Sequence, residues 1–286
     1  MDTGSYYSES INGFTKNPML AIPSLIGHFI IYVVTYGALF LGIFGLYGSN
    51  IFNYNQTSTS ALNTPDLGTS LIFIGIMIMV IIIAWIISGI INAATLGMSK
   101  KIVLGEKPDL DVALKYGKKY LLKILAVSLI FGILIVISMI PLILGIILIA
   151  TDSNTTLNLI GFIIGGLITL ILFIGVYLFF IFTYQSVVIN KKSIIESFKE
   201  SFKLVKKNFF EVIVVLIINA IIIAAISFVV GLGTGLLGIF PIIGFILGII
   251  INIIVQALVT PYFALILTYL YMDLKDMIPE EAEYSY

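Results

Sequence analysis

The polar positions of this chain are confined to short intervals between long apolar runs. A helix that crosses a bilayer needs about 20 apolar residues, and six runs qualify: 19–46, 71–95, 124–150, 159–188, 212–230 and 242–272. None contains Asp, Glu or Lys; Lys123 and Glu211 stand just before the third and fifth. The last two runs are separated by the apolar, glycine-rich stretch 231–241, which predicts a tight hairpin. Pro241 then falls in the first turn of the last helix, where its missing N–H costs nothing.

A second periodicity occupies the polar intervals. Over 194–210, Ile195, Phe198, Phe202, Val205 and Phe209 recur every three or four residues, and Lys199, Lys203, Lys206 and Lys207 take the opposite face. The spacing predicts a helix lying in the membrane plane, with Phe198, Phe202 and Phe209 toward acyl chains and the lysines at headgroups. The stretch 114–122 matches 202–210 with three coincident lysines, which predicts a second such helix over 110–122. A third, weaker copy is Lys16-Asn17-Pro18-Met19-Leu20 over Lys207-Asn208-Phe209-Phe210-Glu211. The spans repeat as well: Ile160-Gly161-Phe162-Ile163 with Gly165 matches Ile243-Gly244-Phe245-Ile246 with Gly248.

The expected fold is therefore all-α, a six-helix transmembrane bundle forming one integral membrane domain over 1–286. It comprises three parallel repeats, 6–105, 109–190 and 193–275, each an interfacial helix plus two spans, followed by an acidic C-terminal tail, 276–286, expected to be disordered. Two spans per unit return the chain to the same side, so the repeat axis runs along the membrane normal.

Charge orients this bundle. All 15 basic residues are lysines, and they fall only in alternate intervals; 47–70, 151–158 and 231–241 have none. The positive-inside rule places the lysine side, and with it both termini, in the cytoplasm of a multi-pass cell-membrane protein. The chain is 60% hydrophobic and 10% charged, with a mean hydropathy of +1.16, more apolar surface than a soluble domain hides. A net charge of zero points to no nucleic-acid partner. The absence of cysteine excludes disulfides and thiolate metal sites. No cleavable signal peptide is expected, because the first apolar run is too long. Asn55-Gln56-Thr57 and Asn154-Thr155-Thr156 match the glycosylation acceptor pattern, which carries little weight in loops this rich in Asn and Thr.

Little here suggests catalysis. Gly233-Thr234-Gly235-Leu236-Leu237-Gly238 spells a dinucleotide fingerprint, but between two spans rather than after a strand, and is discarded. Gly161-xxx-Gly165 and Gly244-xxx-Gly248 are expected to pack helices within the chain rather than to form a homodimer face. His28 is the only histidine; with no acidic or thiol companion it makes neither a metal site nor a triad. It is expected to hydrogen-bond between helices, with proton transfer the lesser alternative.

The neutral polar residues within the spans are Asn92, Gln185, Asn219, Asn252, Gln256 and Thr260. Asn252, Gln256 and Thr260 share one face of the last helix, and Pro261 frees a backbone carbonyl one turn earlier. Interhelical hydrogen bonding, worth about 0.6–2 kcal/mol per contact, is the favoured reading. The alternative is an intramembrane polar groove of Asn219, Asn252, Gln256 and Thr260. Either way they should face the bundle interior, as should Thr169, Phe173 and Tyr177, which the repeat places over the same positions. Lys115, Lys118, Lys119, Lys199, Lys203, Lys206 and Lys207 are expected to meet anionic lipid headgroups at about 1 kcal/mol each.

The run Ser201-Phe202-Lys203-Leu204-Val205-Lys206-Lys207-Asn208-Phe209-Phe210, the opening Lys16-Asn17-Pro18-Met19-Leu20 and the closing Thr260-Pro261 … Leu270-Tyr271-Met272-Asp273-Leu274-Lys275 carry a resemblance over nearly the whole chain. In them the chain resembles a broad set of prokaryotic membrane proteins of unknown function, and the membrane domain attached to some glycerophosphoryl diester phosphodiesterases. In such proteins the phosphodiesterase is a separate soluble barrel, for which this chain has no room, so the resemblance implies no catalytic activity. The expected function is a non-catalytic, lipid- or partner-interacting scaffold or accessory module without cofactor or metal. The alternative is a transporter or flippase for a neutral or amphiphilic substrate.

Overall fold

A computed structural model describes residues 3–52, 67–151 and 155–279. The candidate glycosylation residues Asn55 and Asn154, and the tail beyond Pro279, lie outside them. The described residues are helical, with no strand. In chain order the helices are α1 (Thr3–Lys16), α2 (Ile22–Phe52), α3 (Leu67–Val103), α4 (Leu110–Thr151), α5 (Thr155–Phe179), α6 (Thr183–Val188), α7 (Ile194–Lys207), α8 (Phe209–Leu237) and α9 (Pro241–Asp273). Six segments are long and apolar enough to cross a membrane: Pro18–Gly45, Leu67–Val103, Leu110–Ile149, Asn158–Val188, Phe209–Leu237 and Ile242–Asp273.

The buried core sits at the lysine-bearing end of the bundle. There Tyr6 and Leu20 pack with Met98, Ile102, Phe182, Val205, Val212 and the run from Leu265 to Met272. Toward the other end the helices present Ile, Leu and Phe outward, such as Phe40, Leu41, Ile72, Phe228 and Ile242. Lipid supplies the solvent those faces need.

Local chemistry explains the helix ends. Asp109 caps α4, its carboxylate accepting from the Val112 N–H at 2.7 Å. Gly105 turns the chain after α3 at φ 73°, a conformation that suits a residue without Cβ. Ser193 and Glu196 form a reciprocal capping box at the start of α7. Pro241 occupies the first turn of α9, as the sequence predicts, but α8 continues to Leu237, so the hairpin is shorter than 231–241.

Asn17 and Asn208 make matching breaks. Each Nδ2 donates to the carbonyl four residues back, Gly13 at 2.9 Å and Leu204 at 3.0 Å. Each leaves helical geometry, at φ −128°, ψ 64° and φ −118°, ψ 40°. These breaks separate α1 and α7 from the spans that follow. The second amphipathic stretch differs from expectation: 110–122 is not a separate in-plane helix but the first turns of the 42-residue α4. The residue aligned with Asn208 is Tyr120, which lacks the amide that makes the break and is buried against α3. Gly97 of α3 lies against the Tyr116 ring, fixing that close contact.

The fourth span is also not one continuous helix. It breaks over 180–182, between α5 and α6. α4 and α5 pack at backbone distance: a Cβ on Gly165 would strike the Pro141 carbonyl, and one on Gly145 would strike Phe162. Small residues thus serve packing within the chain, as expected of Gly161 and Gly165. Pro141 disrupts the hydrogen-bond ladder of α4, and the Leu142 N–H donates instead to Thr169 Oγ1 at 3.2 Å.

Candidate functional site

Helices α3, α4, α9 and α8 form a wall that α5 continues on one side. α4 packs along α3 and α5, and α9 packs along α2, α3 and α8, while α5 and α8 do not pack along one another. The space they leave is a cavity of about 790 Å³, within the 300–1,000 Å³ range of ligand sites. Asn252, Gln256 and Thr260 line it from α9, Asn92 from α3, Tyr177 from α5, Tyr184 and Gln185 from α6, and Ser227 and Thr234 from α8. No charged residue is among its lining residues. From Asn252 to Leu267 the lined part of α9 runs about 22 Å at 1.5 Å per residue.

The cavity is blind at the lysine end, where its walls are the buried residues Leu96, Ile181, Gln185 and Phe263. At the other end Ser227, Gly231 and Gln256 are exposed. It is therefore a groove that opens laterally between α5 and α8 and toward the lysine-free side.

Among the described residues, the polar side chains that α9 contributes bond only within their own helix. Asn252 Nδ2 donates to Gly248 O of its own helix at 2.8 Å, and Thr260 Oγ1 contacts Gln256 Oε1 at 3.4 Å. Gln185 is 3% exposed and its Oε1 has no partner among the described residues. Among the described residues Asn252, Gln256 and Thr260 thus make no hydrogen bond to another helix, and all three line the cavity. Asn219 departs from the groove alternative: it is buried on another face of α8, where Tyr7 of α1 donates to its Oδ1 at 2.9 Å. His28, expected to hydrogen-bond between helices, instead has its Nδ1 2.8 Å from Ser24 O of its own helix. Of the positions matched by repeat, Tyr177 lines the groove, Thr169 turns to α4, and Phe173 is 45% exposed. A register inferred from glycine positions does not carry over to side-chain direction when α4 and α5 pack on a different face.

At the floor of the groove α7 closes the break in the fourth span. Ser201 Oγ accepts from the Phe182 N–H at 3.1 Å and donates to Phe179 O at 2.9 Å, pairing two backbone groups the break sets free. Phe198 packs at a tilt on Phe131 and edge-to-face on Phe180, and Phe202 at a tilt on Phe179. The aromatic face of α7 thus packs largely on protein, with Ser197, Ser201, Leu204 and Val205 buried beneath it, rather than wholly on acyl chains.

Two polar clusters tie the lysine end together. Tyr6, fully buried, places its Oη 2.6 Å from both Glu211 Oε1 of α8 and Asp273 Oδ2 of α9. Burial and the two carboxylates push its phenol well above the ordinary range. Tyr7 beside it is pushed up to about 12, chiefly by burial. The second cluster surrounds Glu200, which accepts from Tyr271 at 2.6 Å and Asn190 at 3.0 Å and pairs with Lys275 at 3.4 Å. Burial would raise the Glu200 carboxyl, but these partners carry it below the usual carboxylate range.

The lysines expected at headgroups are exposed: Lys115, Lys118 and Lys119 on α4, and Lys199, Lys203, Lys206 and Lys207 on α7. Of these, Lys199, Lys203 and Lys207 share a cleft of about 420 Å³ with Lys192, Glu196, Glu200 and Lys275. The sequence reading missed Tyr6, although Tyr6, Ser10 and Gly13 recur at helical spacing as the buried stripe of α1. Among the described residues no group of three or more His, Cys, Asp or Glu is placed to hold a metal ion.

An all-helical bundle with six membrane-length apolar helices and a blind polar groove defines a multi-pass membrane protein. The chain belongs to the family described as Domain of unknown function (DUF7847), which matches residues 1–274. No curated protein and no solved structure matches it.

Proposed function

We propose that this protein is a non-catalytic lipid-interacting membrane protein whose groove receives an uncharged or amphiphilic molecule from the lipid phase. One observation carries the reading: Asn252, Gln256 and Thr260 line a groove of about 790 Å³ and, among the described residues, bond no other helix. Polar side chains facing a gap at membrane depth are costly unless something polar visits it. The lateral opening suits a molecule that keeps its chain among lipids while its polar part enters. The blind floor favours reception over free passage, so transport would require that floor to open. A charged headgroup is disfavoured, because no charged residue lines the groove to meet it.

In this reading the protein sits in the cell membrane with both termini in the cytoplasm, and the lysine end meets anionic headgroups. Three repeated units agree with the matching breaks at Asn17 and Asn208, and the likeness to a phosphodiesterase membrane domain would fit a role beside lipid metabolism.

The groove is tested by native mass spectrometry of the purified protein with its co-purifying lipids. A Val255→Trp variant, which fills the groove from α9, should lose a bound amphiphile that the wild type retains. Identical lipid complements in both proteins would sink the reading. Orientation is tested separately with single cysteines and an impermeant thiol reagent on intact cells: labelling at position 192 but not at 56 would reverse it.

A further inference from the structure

We infer that the cleft beside α7 is a discrete site for a lipid phosphomonoester, a headgroup whose phosphate carries two charges. This rests on the reading that the lysine end lies at the cytoplasmic headgroups, and is independent of what fills the groove. Lys199, Lys203 and Lys207 follow one another at four-residue spacing, so they form a single stripe on α7. Lys192 joins them from the turn before α7 and Lys275 from the end of α9.

The carboxylates in the cleft are already engaged. Glu196 belongs to the capping box with Ser193, and Glu200 is held by Tyr271, Asn190 and Lys275. Among the described residues, Lys199, Lys203 and Lys207 form no salt bridge. Five lysines against two carboxylates leave the cleft with a net charge of +3 and with more ammonium donors than carboxylates to meet them.

Position favours a lipid over a soluble phosphate. Lys207 comes just before the first residue of α8, Phe209, and Lys275 just after the last of α9, Asp273, so the cleft is bounded by the ends of two membrane-spanning helices. Charge favours a monoester over a diester. A phosphomonoester carries about −1.5 to −2 at pH 7 and offers three strong acceptor oxygens. A single-charge phosphodiester would be served equally by any exposed lysine. Lys206, Lys115, Lys118 and Lys119 lie outside the cleft and provide an internal comparison.

The experiment is native mass spectrometry of the full chain in detergent, titrated with dioleoyl phosphatidic acid or dioleoyl phosphatidylglycerol at low salt. Phosphatidic acid should be retained in preference. That preference should fall by about fivefold for each cleft lysine replaced in K199Q, K203Q and K275Q combined. The K115Q/K118Q/K206Q variant should keep it. The preference should also shrink from pH 7.5 to pH 5, because the second phosphate proton binds near pH 6. Equal losses in the two triple variants would reduce the cleft to a diffuse basic surface and overturn the inference. Equal retention of the two lipids by the wild type would overturn it as well. Displacement of phosphatidic acid by millimolar inorganic phosphate would move the site to a soluble ligand and overturn the lipid assignment. All the variants replace exposed or half-exposed lysines, and their melting curves report on folding directly.

Discussion

The hydroxyl of Ser201 accepts a hydrogen bond from the Phe182 N–H at 3.1 Å, so a helix outside the spans closes a break inside one. The same hydroxyl donates to Phe179 O, and Ser201 is fully buried. Replacing it with alanine strands both backbone groups. Ser201→Ala should cost about 1–3 kcal/mol and speed amide exchange over 179–183, read by hydrogen-exchange mass spectrometry. Unchanged exchange there would mean that the break is held by packing alone.

Tyr6 joins α8 to α9 through one phenolic proton shared by Glu211 and Asp273. Tyr6→Phe keeps the ring and removes the shared donor, leaving two acidic side chains facing the gap. A loss of about 1–3 kcal/mol in thermal stability is expected, with faster exchange throughout α1. A variant as stable as the wild type would show that the ring, not the hydroxyl, docks this helix.

Among the described residues Asn252 and Gln256 make no bond to another helix, whereas Asn219 is bonded by Tyr7. Leucine at 252 and 256 should therefore leave the melting temperature unchanged or raise it. Asn219→Leu should lower it by leaving the Tyr7 hydroxyl with one acceptor fewer. The opposite ranking would restore interhelical bonding as the role of the α9 amides.

The Glu200 carboxyl is lowered in the folded protein. Its contribution is complete above the ordinary glutamate value of about 4.3 and is lost as pH falls through the lowered folded value. The attachment of α7 should thus hold from neutral pH down to about pH 4 and loosen below it. In melts from pH 7 to pH 3, the gap between wild type and Glu200→Gln should close at the acid end. A constant gap would assign the effect elsewhere.

The spans and their common lysine end were legible because both follow from the cost of placing charge in hydrocarbon. That an amphipathic helix precedes the fifth span was legible too, but its end was not: the predicted helix runs through Asn208 to 210, whereas Asn208 breaks it and Phe209 opens α8. The continuity of α4 turns on a single aligned position, Tyr120, where a lysine pattern alone suggests another break. The interruption at 180–182 left no local trace: Phe180, Ile181 and Phe182 include neither Gly nor Pro, and the partner that tolerates the break, Ser201, is supplied by the fold. One wall of the groove could be read from the spacing of Asn252, Gln256 and Thr260. The facing residues Asn92, Tyr177, Gln185 and Ser227 come from four other segments, and only tertiary packing brings them together.

The docking of α1 onto α8 and α9 has a consequence for biosynthesis. In α1 the buried Tyr6 is matched to Glu211 and Asp273, on helices synthesised well after it. At about 5–20 residues per second, the interval between Lys16 and Asp273 is roughly 10–50 s. Throughout that time α1 lacks its partners on α8 and α9, and of the residues around its stripe only those of the earlier spans, such as Ile102 beside Gly13, are already made. Its docking marks the moment at which the sixth span is in place, and a nascent chain that stops short of α9 keeps Tyr6 exposed as a signature of incompletion.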